Sequence, residues 1–378
     1  MLKLTLPSDI DALIVTNPYN ILYLSGFKGI SDTEREAILI CHSGPLRRSD
    51  SEASLSRIKQ KDSGVASLPR MTLITARLYE VEANRLKSNN LDVKIASERD
   101  QTQQFIFDTL KNYQKIGFEK DNLTVAEHEK YQNLLPGKDF IATQNIVENL
   151  RQIKTADEIA KIEKAQVISQ QALVSLLPTI KVGQTELEIA ERLESIMRAL
   201  GSQGTAFTTI VASGPNSGIP HHRTSDRRLK IHDTLLFDFG AKYQNYCADL
   251  SRTVFIGKVS DRQANIYNHV ASAQKAAIAK IQKEIKLKDA YDFAFDIFKS
   301  AKLHDYFTHG LGHGIGLEVH EAPYLRRTTD ELFQNGMVFS VEPGLYFDWG
   351  GVRIEDLVVI QNGKPRVLGK MQEEIVVV

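Results

Sequence analysis

Cysteine is nearly absent: Cys41 and Cys247 are the two thiols in a chain of 378 residues. Two thiols supply no disulfide framework, which fits a reducing compartment and makes the cytoplasm the expected location. Each reads as a small buried hydrophobe. No apolar run approaches the roughly 20 residues that a membrane-spanning helix needs, and the opening Met1-Leu2-Lys3-Leu4-Thr5-Leu6-Pro7 is too short and too soon polar for a secretory signal. No membrane partner is expected. Charge of one sign is missing too, since Lys plus Arg and Asp plus Glu each number 47. That balance removes the electrostatic argument for a nucleic acid or an anionic membrane as partner. What remains, 42% hydrophobic and 25% charged residues, is the composition of a soluble globular protein. At this length two domains are expected.

The first part of the chain alternates strand and helix signals. Ala12–Val15, Ala37–Ile40, 71–75, 91–95 and 115–118 read as strands, with helices over 79–87 and 100–112 and a third opened by the capping pair Thr124 and Glu127. That alternation predicts an α/β domain over residues 1–147. Residues 42–70 interrupt it, rich in serine and basic side chains and poor in apolar anchors, and read as a long solvated loop. A second domain, 148–378, opens with a helix capped by Thr155 and Glu158 that Pro178 stops. A helix over 187–200, capped by Thr185 and Glu188 and closed by Gly201, a strand at 209–212, an irregular loop with Pro220-His221-His222 and an acidic hairpin follow. The order then repeats: helices over 260–283 and 288–302, an irregular histidine-bearing loop, and a second acidic hairpin. Repetition of element order predicts an internal duplication with pseudo-twofold halves.

The two hairpins carry the strongest chemical signal. In Leu235 to Thr253, two apolar strands flank a polar turn. Centring the turn between Tyr243 and Gln244 sets Asp238 across from Asp249, at the Cβ separation of about 4.5–5.5 Å of cross-strand partners. In Met337 to Ile360, a turn centred between Asp348 and Trp349 sets Glu342 across from Glu355. Acids inside strands usually lie on a solvated face, yet Asp238 stands between Phe237 and Phe239, and Glu355 follows Ile354 and precedes an apolar run. Like charges so placed repel, and a bound cation reverses the sign of that interaction.

Four carboxylates match the charge of two divalent cations. Such pairs, about 3.5–4 Å apart, clamp a substrate oxygen and lower the pKa of a bridging water. Oxygen-rich ligation favours manganese, and an imidazole admits cobalt, zinc or iron. His309, His313 and His320 supply candidates in a glycine-rich stretch. The four-residue spacing of His309 and His313 is that of a helical zinc pair, but the intervening glycines cost about 1 kcal/mol each in a helix, so a loop that approaches a ligand closely is expected instead.

Taken in order, Asp238-Phe239-Gly240, Tyr246 through Thr253, His309 through Gly316, Val341-Glu342-Pro343-Gly344 and Arg353-Ile354-Glu355-Asp356 resemble the motifs of the pita-bread metallopeptidases (family M24). Residues 1–147, with Tyr23-Leu24-Ser25-Gly26-Phe27, resemble the creatinase-type N-terminal domain of the proline-directed members, aminopeptidase P and Xaa-Pro dipeptidase (prolidase). The resemblance implies an α+β chain, with an α/β N-terminal domain ahead of a pita-bread catalytic domain. It implies Asp238, Asp249, His313, Glu342 and Glu355 as ligands of two divalent ions, with Asp249 and Glu355 bridging. A hydroxide between the ions would attack the carbonyl of an Xaa-Pro bond, and Glu342 would shuttle the proton. His221 and His320 match histidines that position substrate and stabilise the intermediate. Arg353 and Tyr346 match further site positions, and His309 a histidine with no fixed role. A peptide or dipeptide substrate and a homodimer are the partners implied.

Ser251 departs from the pattern where threonine is common, and Asn245 where glycine often precedes the tyrosine. Methionine aminopeptidase shares the five-ligand core but usually lacks the N-terminal domain. A metal-free creatinase-like enzyme or a pita-bread binding module is the alternative from another class. Relatives of that kind have lost ligands, whereas all five are kept here.

Overall fold

The computed structural model describes residues 4–29, 35–42, 69–369, 371 and 374–378. The chain divides into two compact units, the second beginning at Arg151. No helix among the described residues is long and apolar enough to cross a membrane.

The first unit is built on a six-stranded sheet of order β4-β3-β2-β1-β5-β6. Its strands are β1 (Ala12–Val15), β2 (Ala37–His42), β3 (Arg70–Ala76), β4 (Leu91–Ala96), β5 (Lys115–Glu119) and β6 (Asp139–Thr143). Central β1 reads Ala-Leu-Ile-Val and is buried throughout. Leu13 and Val15 enter one apolar cluster and Ala12 and Ile14 another, so the uninterrupted apolar run follows from burial on both faces. The helices are α1 (Pro18–Ser25), α2 (Glu80–Leu86), α3 (Arg99–Leu110) and α4 (Val125–Leu134). The Thr124 capping box forms as expected. Helix α1 has no counterpart in the sequence reading. It spans eight residues, with Asn17 accepting from the Tyr19 and Asn20 amides and Gly26 closing it at φ +80°. Of the 42–70 segment expected as a loop, the two end residues are strand ends and 43–68 lie outside the described residues.

The short α5 (Glu148–Gln152) precedes two repeats of one arrangement in the second unit. Helices α6 (Ala156–Leu176) and α7 (Glu186–Ala199) are followed by β7 (Ile210–Ser213), β8 (Thr234–Phe239), β9 (Lys242–Tyr243), β10 (Tyr246–Cys247) and β11 (Leu250–Phe255). Then α8 (Asp261–Lys280) and α9 (Leu287–Ser300) precede β12 (Gly312–Gly314), β13 (Glu321–Leu325), β14 (Val338–Val341), β15 (Gly344–Phe347), β16 (Gly350–Arg353), β17 (Asp356–Gln361) and β18 (Lys364–Val367). The boxes at Thr155, Thr185 and Ser260 all form. Each helix pair covers its own sheet. Leu235, Phe237 and Phe239 of β8 pack with α6 and α7, while Phe339 and Val358 pack with α8 and α9. Strand β11 is buried at every position and serves both cores, Leu250 and Val254 facing the first and Phe255 the second.

The register of the second hairpin is the one its sequence predicts: Gly344 pairs with Arg353 and Phe347 with Gly350, about a turn at Asp348 and Trp349. Glu342 and Glu355 are therefore equidistant from that centre, in the breaks where β14 passes to β15 and β16 to β17. The first hairpin is corrected by one residue at its tip. Tyr243 pairs with Tyr246 across Gln244 (φ +47°) and Asn245 (φ +70°), so the turn is a two-residue type I′ hairpin. Moving the centre by one moves the pairing by two, and Asp238 faces Ser251 where Asp249 was expected. Side-chain parity survives a two-residue shift. The glycine missing before Tyr246 is replaced by asparagine, the residue that best tolerates positive φ after glycine.

Candidate metal centre

Asp249, His313 and Glu355 bring one ligand atom each within 4.8 Å of one another. Backbone geometry alone makes this convergence. Asp249 sits in the break between β10 and β11, beside Gly240, where an added Cβ would lie 1.8 Å from the Ala248 carbonyl oxygen. His313 occupies the middle of β12, between glycines with no room for a side chain: a Cβ on Gly312 would lie 2.0 Å from Ser340 O, and on Gly314 2.2 Å from Ala322 O. The glycine-rich stretch is thus a strand wedged between its neighbours, and the helical reading of His309 and His313 is excluded by it.

The His313 ring is oriented before any ion arrives. Its Nδ1–H donates to the Gly314 carbonyl at 3.1 Å, leaving the Nε2 lone pair 3.3 Å from Glu342 Oε1 and 3.6 Å from Asp249 Oδ2. Burial holds its pKa below the usual imidazole range. A neutral nitrogen lone pair facing two carboxylates is repulsive without a cation between them. The carboxylates carry the same message. Asp249 Oδ1 and Glu355 Oε1 are buried and find no hydrogen-bond donor among the described residues. Burial, then repulsion from neighbouring acids, pushes the pKa of both groups well above the ordinary range: Glu355 and Asp238 act on Asp249, Glu342 and Asp238 on Glu355. Orphaned acceptors, clustered acids and an aimed imidazole are the donor set for divalent cations.

Asp238 and Glu342 flank the trio. Asp238 Oδ2 accepts from Arg353 Nη2 at 2.6 Å, and Glu342 Oε1 accepts from the Ser340 hydroxyl at 2.9 Å. All five predicted ligands therefore stand in one electrostatic cluster, although Asp238 and Glu342 lie outside the tight trio. Buried Arg353 is a hub: Nε donates to Ser251 Oγ at 2.7 Å and Nη1 to Tyr346 Oη at 2.9 Å. The Tyr346 hydroxyl in turn lies 2.8 Å from His309 Nε2, while His309 Nδ1 donates to Gly310 O at 2.7 Å. Since Nδ1 holds the ring proton, Nε2 accepts from Tyr346. Burial, against the effect of Arg353, pushes the Tyr346 phenol up to about 12. His320 packs its ring on His313, centroids 4.2 Å apart. His221 is exposed and close enough to His309 and His320 to depress the charged form of each, after burial.

Three supporting groups escaped the sequence reading. Arg252 pairs with Asp356 at 2.6 Å and holds the Glu355 carbonyl oxygen; both residues lie in the motifs quoted above, without a role. Glu321 binds Lys154 at 2.8 Å and Arg151 at 2.5 Å, bracing the turn that ends in His320. Glu186 gathers the loop that carries His221. Their partners lie far apart in sequence, and apart from the capping position of Thr185 next to Glu186 no local pattern marks them.

Residues 160–362, more than half of the chain, match the profile of Metallopeptidase family M24. The chain belongs to that family. Residues 7–153 match the Creatinase/Prolidase N-terminal domain. The Xaa-Pro dipeptidase of Pyrococcus furiosus is 36% identical over 271 residues, 71% of this chain and 78% of that protein. Among solved structures, an Xaa-Pro dipeptidase from Bacillus anthracis superposes with a TM-score of 0.86 at 30% identity, over 98% of this chain and 95% of its own. An X-Pro aminopeptidase from Thermotoga maritima gives 0.82 at 30% identity, over 98% of each chain. The resemblance drawn from the motifs holds, and so does the α+β architecture with creatinase-type and pita-bread parts. As an M24 metallopeptidase this chain is an enzyme that uses divalent metal, and the donor set described above suits that requirement.

Proposed function

We propose that this M24 enzyme is an exopeptidase that hydrolyses the Xaa-Pro bond, with Xaa-Pro dipeptides as the first substrate class and the N-terminal Xaa-Pro of longer peptides as the second. The observation that carries the metal chemistry is the pair of orphaned acceptors, Asp249 Oδ1 and Glu355 Oε1, beside the aimed His313 Nε2. The proline preference is supported by the match to the prolidase N-terminal domain and by the names of the relatives.

Asp238, Asp249, His313, Glu342 and Glu355 would hold two divalent ions, manganese first and cobalt, zinc or iron as alternatives. When bound, the ions polarise the scissile carbonyl and supply a nucleophilic water at neutral pH. The remaining work falls to the chain itself. Glu342, at the edge of the cluster and held by the Ser340 hydroxyl, takes the proton of the attacking water and returns it to the leaving nitrogen. Exposed His221 and His320, whose ring lies tilted against that of His313, position the substrate carbonyl. Arg353 fixes Asp238 on one side and Tyr346 on the other, and His309 sets the direction of the Tyr346 hydroxyl. Recognition of proline requires a site for a tertiary amide, which has no N–H to offer.

Two free buried cysteines support a cytoplasmic location, and the family resemblance supports a homodimer, which sedimentation equilibrium tests. The substrate test compares Xaa-Pro, Xaa-Pro-Xaa and a Met-Ala-Xaa peptide across manganese, cobalt, zinc and iron after dialysis against chelator. Cleavage of the methionyl peptide alone would overturn the proline reading in favour of a methionine aminopeptidase. Absence of turnover with every metal would favour a binding module.

A further inference from the structure

The loop 213–225, which carries His221, is organised by one carboxylate outside the metal cluster. Glu186 stands at the first helical position of α7 and has no exposed surface. Its Oε1 accepts from the Ser213 amide at 2.7 Å, the Ser213 hydroxyl at 2.7 Å and Asn216 Nδ2 at 3.0 Å. Its Oε2 accepts from the Ser225 amide at 3.0 Å, the Ser225 hydroxyl at 2.7 Å and His222 Nε2 at 2.9 Å. Six donors saturate the two oxygens, and the helix N-terminus adds its own preference for negative charge. Burial alone would raise the pKa, yet hydrogen bonds from Ser213, Ser225, His222 and Asn216 hold it below the ordinary carboxylate range.

The donors come from both ends of the loop, so Glu186 closes it like a clasp, and one of the side chains held, His222, is the chain neighbour of His221. The middle of the loop is seated on the second hairpin. Ser217 Oγ accepts from the Gly351 amide at 2.9 Å, the Pro220 carbonyl accepts from Arg353 Nη1 at 3.3 Å, and Gly218 lies against the Phe347 carbonyl. None of the six contacts of Glu186 reaches the ligand cluster; they reach His221 through its chain neighbour His222.

We infer that Glu186 is a positioning residue for catalysis, acting through His221 by clasping the loop 213–225. The inference rests on the peptidase reading above. Replacing the carboxylate by an amide turns one acceptor oxygen into a donor that faces three donors, which opens one side of the clasp while keeping the volume. A displacement of about 1 Å at a substrate-positioning group costs on the order of a hundredfold in rate.

The test is a double-mutant cycle on the full-length, manganese-loaded enzyme with an Xaa-Pro dipeptide. Glu186→Gln is expected to bind metal at wild-type stoichiometry and to lose about a hundredfold in kcat with KM within about threefold. Adding it to His221→Ala should lower kcat by no more than about threefold further, because both changes remove one interaction. His222→Ala removes a single donor, so it leaves five contacts in place; it is expected to lose about tenfold with the same non-additivity, and it carries the test if Glu186→Gln does not fold. Losses that multiply in the double variants, or a metal-loaded Glu186→Gln within about twofold of wild type, would overturn the assignment while leaving the peptidase reading intact. A wild-type enzyme inactive on both Xaa-Pro and Xaa-Pro-Xaa substrates overturns both together.

Discussion

The Ser251 hydroxyl lies 2.9 Å from Glu355 Oε2 and joins a ligand of the second hairpin to a strand of the first. The same oxygen accepts from Arg353 Nε at 2.7 Å, so Ser251 orients a carboxylate and the guanidinium that steadies Asp238. Ser251→Ala is expected to weaken metal binding by roughly 10- to 100-fold, the usual effect of removing a group that orients a ligand. Competition with a fluorescent chelator measures it. Unchanged affinity would show that the Glu355 carboxylate orients itself.

Asp249→Ala and Glu355→Ala should each abolish turnover, because each removes an acceptor from the trio that also includes His313. Metal content after gel filtration is the direct readout. A variant that stays metal-replete and turns over near the wild-type rate would sink the assignment of a dinuclear centre.

The pH dependence of stability should differ with and without metal. In the metal-free protein Asp249 and Glu355 have raised pKa values, so the folded state keeps protons that the unfolded chain has released. Stability of that form therefore falls as pH rises above the ordinary carboxylate pKa of about 4. Divalent metal removes the cause of the fall. The thermal shift on adding manganese is expected to grow from pH 5 to pH 7.5; a shift that shrinks over this range would contradict the clustered-acid account.

Glu321 obeys the reverse linkage. Its burial works to raise the pKa, but Lys154 and Arg151 hold it lower, so its stabilisation is present above about pH 4 and is lost as pH falls through the depressed value. Glu321→Gln takes the shared carboxylate from two buried cations and is expected to cost roughly 3–5 kcal/mol at pH 7. Urea unfolding with bound metal gives the value, and a loss below about 1 kcal/mol would place the pair among weak surface contacts.

Acids in apolar runs made the centre readable before any coordinates. Asp238 between two phenylalanines and Glu355 beside Ile354 are costly without a partner, and cost of that kind shows in a linear sequence. The second hairpin was readable to the residue because Asp348 and Trp349 sit midway between matched strands. At the first tip no Asn-Gly pair marks the type I′ turn, and Gln244 adopts positive φ without being a residue that favours it. Helix α1 was hidden by its length, since eight residues give barely two turns of periodicity. Glu186 was hidden differently: its donors lie 27 to 39 residues away, and only folding makes them neighbours.

The two-residue tip at Gln244 and Asn245 fixes more than a turn. Because strand side chains alternate, inserting one residue there would swing β11 by one place against β8, and Arg252 and Val254 would exchange faces with Ser251 and Thr253. Ser251 and Thr253 hold Glu355 and Arg353, while Val254 fills the first core. Loop length at the tip is therefore a gauge for both jobs at once, and natural or engineered change there is tolerable only in steps that preserve parity.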